Sequence, residues 1–302
     1  MLWLTVAISA YLILAIVFLV DKYLLAGPIP NPKVYAFFVG LLGIFVLILL
    51  PFVDFKIPAI EQIFLSLSAG IIFIWALFWF YRGLQLFEAS RIVPAIGGLV
   101  PIFTFLLVYI SSFGKEILSF WEGTAFLLLI LGSVIITLEK EKFINLPSLK
   151  ISFLAAFLFS LSFVMSKYVY LAQPFWSGYI WIRIGGFLMA LVFLFLPEVR
   201  RELLKTKTNL PKKTAAIFLG NQAGGAGANV LQNWAIALAP LAYVAIVNAL
   251  QGVQYAFLLI FTIFLSLKLP QILKEEISKE ILLQKLLAIL CIGGGLTILA
   301  IQ

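Results

Sequence analysis

About ten stretches of nearly continuous apolar residues, each close to the roughly 20 needed to span a bilayer, divide this 302-residue chain and leave only short connections. They cover residues 2–20, 34–53, 62–81, 92–110, 121–138, 151–171, 177–196, 214–236, 242–267 and 282–301. Strand-type alternation is absent, so helices rather than a barrel must satisfy the backbone inside lipid. The expected fold is an all-α polytopic membrane protein with about ten transmembrane helices. Composition agrees: 64% of residues are hydrophobic and 11% charged, against about 45–50% and about 25% in soluble domains. So few charges cannot cover a water-soluble surface.

The first stretch has no basic leader and no small-residue cleavage site, so it reads as the first span rather than a removed signal. Cys291 is the only cysteine, which leaves no internal disulfide to form. Basic residues crowd the odd-numbered loops, whereas the even-numbered ones hold only Lys56, Lys115 and Lys167. The positive-inside rule then puts the odd loops in the cytoplasm and both termini outside. A basic face beside anionic lipid headgroups accounts for the net charge of +8 without a nucleic-acid partner.

The chain also reads as two copies. Asp21-Lys22-Tyr23-Leu24 resembles Ser166-Lys167-Tyr168-Val169, and Gly40 and Pro51 are spaced like Gly186 and Pro197. Lys115-Glu116-Ile117-Leu118 recurs as Lys279-Glu280-Ile281-Leu282. These matches, in the same order, divide the chain into five-helix halves, 1–145 and 146–302. An odd number of helices per half makes the copies opposite in orientation. Such inverted repeats recur in secondary transporters, whose two halves can exchange conformations about a central site.

This plan resembles the EamA-type branch of the drug/metabolite transporter superfamily. The matching residues are Lys22 and Lys167 closing the first helix of each half and Arg183 in the second helix of the second half. Pro101 within the fourth helix also matches, as do Glu116 and its mate Glu280. The likeness covers essentially the whole chain. It implies two inverted five-helix repeats and solute transport, with cytoplasmic termini where the loop charges argue the reverse. Arg183 departs from the pattern in having no twin, since Phe37 or a neighbour stands where the first half would carry one.

Polar groups inside spans are costly and mark candidate sites. Gln222, Asn229 and Asn233 share a stripe of the eighth stretch, and Asn248, Gln251 and Tyr255 a face of the ninth. They line one cavity or simply bond the two helices together. Trp75, Trp79 and Arg82 recur at i, i+4, i+7 on the third, as a substrate-facing aromatic stripe or as interface anchors. Arg183 lies about 9 Å into its stretch, within snorkelling range. Lys22 and Lys167 read as gate cations or snorkelling helix ends. Gly220, Gly224, Gly225 and Gly227 on the eighth stretch, with Pro94 and Pro101 on the fourth, are candidate hinges or close-packing points.

Histidine is absent, and Asp21, Glu88, Glu116 and Glu280 all read as helix-end acids. A central proton-exchanging carboxylate and a His-ligated metal are therefore not expected, nor is any cofactor. No catalytic motif stands out, so an enzyme is not expected. Most weight goes to a secondary transporter, exporter or exchanger, of a small organic metabolite such as an amino acid or related amphipathic solute. The alternatives are a membrane-embedded lipid-modifying enzyme or a carrier of phosphorylated or lipid-linked substrates. The expected partners are that solute and membrane lipid, around a monomer in a prokaryotic plasma membrane.

Overall fold

The structure, a computed structural model, describes residues 2–26, 31–87, 89–137, 146–197, 199–201, 212–268 and 279–301. Among them no residue lies in a strand and 89% are helical. The helices are α1 (Leu2–Ala26), α2 (Pro32–Leu42, continued as a tighter 3-10 turn over Gly43–Phe52), α3 (Ile60–Leu86), α4 (Ala89–Ser111) and α5 (Phe120–Thr137). Then come α6 (Leu146–Ala172), α7 (Phe175–Phe193), α8 (Lys212–Leu238), the short α9 (Val244–Ala249), α10 (Gln251–Lys268) and α11 (Lys279–Ile301). Eight spans are long and apolar enough to cross a bilayer, with α9 and α10 sharing one of them, and the chain is an integral membrane protein.

Two of the expected spans fall outside that set. In α4 the apolar part is only Ala95–Ser111. In α8 the helix is 27 residues long, but amides and glycines dilute its apolar character. The span 244–261 is interrupted at Leu250, between α9 and α10. The side chains of Lys22, Pro94 and Glu280, and the whole of Glu88, lie outside the described residues.

Local chemistry sets several boundaries. Asn31 caps α2 by accepting from the Lys33 amide at 3.0 Å, and Pro32 supplies a first-turn residue that needs no donor. Ser119 and Glu122 open α5 as a reciprocal capping box, the Ser119 amide donating to Glu122 at 2.6 Å and the Glu122 amide to Ser119 at 3.4 Å. Glu116 therefore precedes α5 in a segment without regular secondary structure rather than opening the helix.

Packing pairs α1 with α8, α3 with both α6 and α7, α4 with α6, and α5 with α11. The α3–α7 contact is made backbone to backbone. A Cβ on Gly70 would stand 1.8 Å from the Ile182 carbonyl oxygen, and one on Gly185 would stand 2.2 Å from that of Leu67. The glycines of α8 behave differently. Gly220 and Gly227 face open space, while Gly224 and Gly225 meet only Val17 at ordinary contact distance. Tight backbone contact of the α3–α7 kind is thus not their role.

Candidate functional site

A cavity of about 240 Å³ is lined by α1, α2, α3, α4, α6, α7, α8, α9 and α10; of the four α8 glycines only Gly225 lines it, and Gly220, Gly224 and Gly227 lie on the other side of that helix. Phe73, Leu77 and Phe80 of α3, with Phe159 and Phe163 of α6, form its apolar wall. The rings interlock, Phe73 and Phe159 meeting edge to face at 5.8 Å. The polar wall comes from α8, α9 and α10: Gln222, Asn229 and Gln232, then Asn248, Gln251, Gln254 and Tyr255.

Each amide is held differently. Asn229 accepts the Tyr179 hydroxyl at 3.0 Å. Gln232 donates to the Tyr11 hydroxyl at 3.4 Å, which itself donates to the Val247 carbonyl at 2.9 Å. Asn248 is 1% exposed and donates to Thr104 at 2.9 Å, but its Oδ1 has no hydrogen-bond partner. A buried acceptor without a partner is uncommon, because it forfeits its hydration. Here it stands on the cavity wall at the end of the short α9.

Two charges of opposite sign reach the same space. Asp21 comes from α1, where Oδ1 accepts from Asn221 Nδ2 at 2.6 Å and from the Tyr35 hydroxyl. Because α1 runs on to Ala26, Asp21 lies inside the helix rather than at its end. Arg183 comes from α7, which starts at Phe175, so it lies eight residues or about 12 Å in. That puts it near the middle of the 19-residue helix, deeper than a snorkelling residue. Its guanidinium lies against Gly43, where a Cβ would stand 2.9 Å from Nη2.

Lys167 stands apart from the cavity. It is 2% exposed and donates through Nζ to the carbonyls of Ala237 at 3.0 Å and Ala239 at 2.5 Å. A cation there satisfies carbonyls that a helix C-terminus leaves without donors. The following connection is tied down as well, the Ala242 amide donating to Glu116 at 3.2 Å and the Tyr243 hydroxyl to Glu122. Burial, and then the carboxylate it donates to, push the Tyr243 hydroxyl up to about 12, so it stays a donor. Trp3 meets the Tyr243 ring edge-on at 5.5 Å. Trp3 and Asp21 are 18 residues apart on α1, about 27 Å along the axis. The Lys167 tie and the Asp21 cluster therefore sit at opposite ends of the bundle.

Of the expected substrate residues, the structure brings Arg183, Gln222, Asn229, Asn248, Gln251 and Tyr255 to one cavity. Asn233 turns instead toward α6, accepting the Tyr170 hydroxyl at 2.8 Å. Trp75, Trp79 and Arg82 are not among the lining residues, and Trp75 is 45% exposed. Their stripe lies on the side of α3 opposite Phe73, Leu77 and Phe80, a rotation that 100° per residue makes plain. Sequence reasoning missed Asp21, Gln232, Gln254 and the phenylalanines. The apolar run continuing past Asp21 through Leu24 and Leu25 is the signal that could have moved Asp21 off the helix end. Among the described residues, no group of three or more Cys, Asp or Glu gathers to hold a metal.

No family model matches the chain, and no curated protein does. Solved structures do match. One protein known from its crystal structure superposes with a TM-score of 0.65 over 99% of this chain and 96% of its own, at 15% identity. A likeness at that identity shows a shared fold.

Proposed function

We propose that the chain is a secondary transporter that carries a small organic solute, an amino acid or related amphipathic metabolite, through this cavity by alternating access. In this reading ten helices form two inverted five-helix repeats, 1–145 and 146–302, of the EamA type. The observation that carries it is a cavity inside an apolar bundle whose lining combines phenylalanines with amides and two charges of opposite sign. Its volume lies below the ~300–1,000 Å³ typical of sites for drug-sized ligands, which fits a metabolite.

Unequal packing of repeat-related pairs supports alternating access. The third helix of the first half and the second of the second half, α3 and α7, meet backbone to backbone. The counterpart pair, α8 and α2, meets through side chains, Phe218 against Phe38 at 5.5 Å and against Tyr35 at 5.8 Å. Two halves of one plan held differently are what a carrier caught on one side of its cycle requires. Reconstitution in liposomes tests the reading. Saturable counterflow of at least one solute from a panel of amino acids, nucleosides, sugars and phosphorylated metabolites is expected; no flux of any class contradicts it.

A further inference from the structure

Asp21 and Arg183 border the same cavity, yet no ion pair joins them within 4.0 Å and neither has another oppositely charged partner among the described residues. Isolated charges of opposite sign in a low-dielectric site each favour a counter-charge, and here the protein supplies none. The donors around Asp21 are neutral, and both go to one oxygen: the Tyr35 hydroxyl and Asn221 Nδ2 bond Oδ1. Oδ2 takes neither bond and is left for a further donor. Arg183 donates to no carbonyl or carboxylate among the described residues, so its planar fork of N–H groups retains its capacity for a carboxylate. Gly43 leaves room for that guanidinium against the backbone.

We propose that the carried solute is a zwitterion, its ammonium bound at Asp21 Oδ2 and its carboxylate at the Arg183 guanidinium, with its apolar remainder against Phe73 and Phe80. The proposal rests on the transporter reading and narrows its substrate class. A zwitterion neutralises both cavity charges in one binding event and adds no net charge of its own. An amine would leave Arg183 without a counter-charge, and an acid would leave Asp21 so. Selection therefore comes from two points of opposite sign, and a ligand missing either group leaves a desolvated charge behind.

The test is a binding series on the detergent-solubilised full chain by titration calorimetry. The probes are L-leucine and 6-aminohexanoate, whose charges are close together and far apart, the cation L-leucine methyl ester and the anion N-acetyl-L-leucine. At least one zwitterion is expected to bind about 10- to 100-fold tighter than both singly charged probes, the span set by one charge-assisted hydrogen-bonded contact. In Arg183→Gln the advantage over the ester should vanish, and in Asp21→Asn the advantage over the N-acetyl compound should vanish. A singly charged probe binding as tightly as the better zwitterion to the unmodified protein overturns the proposal, and that comparison needs no variant to fold. Failure of all four probes to bind also overturns it. If liposomes then still carry another solute, the transporter reading survives; if no solute is carried, both fall.

Discussion

Lys167 places its ammonium against the backbone carbonyls of Ala237 and Ala239, at the C-terminal end of α8. Lys167→Met removes both bonds and leaves two buried acceptors unmatched, so a loss of about 1–3 kcal/mol is expected. A thermal melt in detergent reads it; an unchanged midpoint would show that the tie is dispensable. Asn248 gives the complementary case. Asn248→Leu removes the bond to Thr104 but also the unpartnered Oδ1, so it should cost no more than about 0.5–1.5 kcal/mol while abolishing stabilisation by a transported solute. Retained solute-dependent stabilisation would remove Asn248 from the site. The sequence made Asn248, Gln222 and Asn229 visible because an amide inside an apolar run is expensive wherever it points. It could not separate Gln232 from Asn233, one step of 100° apart, of which only Gln232 faces the cavity. Trp75 and Trp79 misled for the same reason: spacing gives a stripe but not the side of the helix that the neighbours cover.

At the level of elements, glycine has opposite meanings on α3 and α8. Gly70 lets α3 and α7 touch at the backbone, where no neighbour can yield. Gly70→Val should therefore destabilise by at least about 3 kcal/mol, or prevent a folded product altogether, as read by denaturation and size-exclusion profile. Gly227 faces open space on α8. Gly227→Ala should stabilise by about 0.5–1 kcal/mol, since alanine loses less backbone freedom on entering a helix. A destabilised Gly227→Ala would mean that α8 packs there after all. Most spans were legible from apolar runs alone, and 214–236 reads as one too, but the amides and glycines of α8 keep it below the apolar character of the eight clear spans. The interruption at Leu250 was not legible in the sequence either, because the run around it stays apolar and Gly252 alone does not mark a break.

Across the whole molecule the two ends of the bundle are built differently. One end is tied by Lys167, Glu116, Glu122, Tyr243 and Trp3. At the other end the Asp21, Tyr35 and Asn221 cluster stands beside α2 and α8, whose contact is through side chains. The cavity lies along the bundle between them. This asymmetry was out of reach of the sequence, because it rests on contacts between residues far apart in the chain, such as Lys167 with Ala239 and Asp21 with Asn221. A single labelling experiment puts the alternating-access reading to its most direct test. Cys291 is the chain's only cysteine, so Ala226→Cys in a Cys291→Ala background places one thiol on the cavity wall. In sealed proteoliposomes of known orientation, a membrane-impermeant maleimide should label that thiol from one face, and a transported solute should change the labelling rate. Equal labelling from both faces at a rate indifferent to every solute would contradict a carrier.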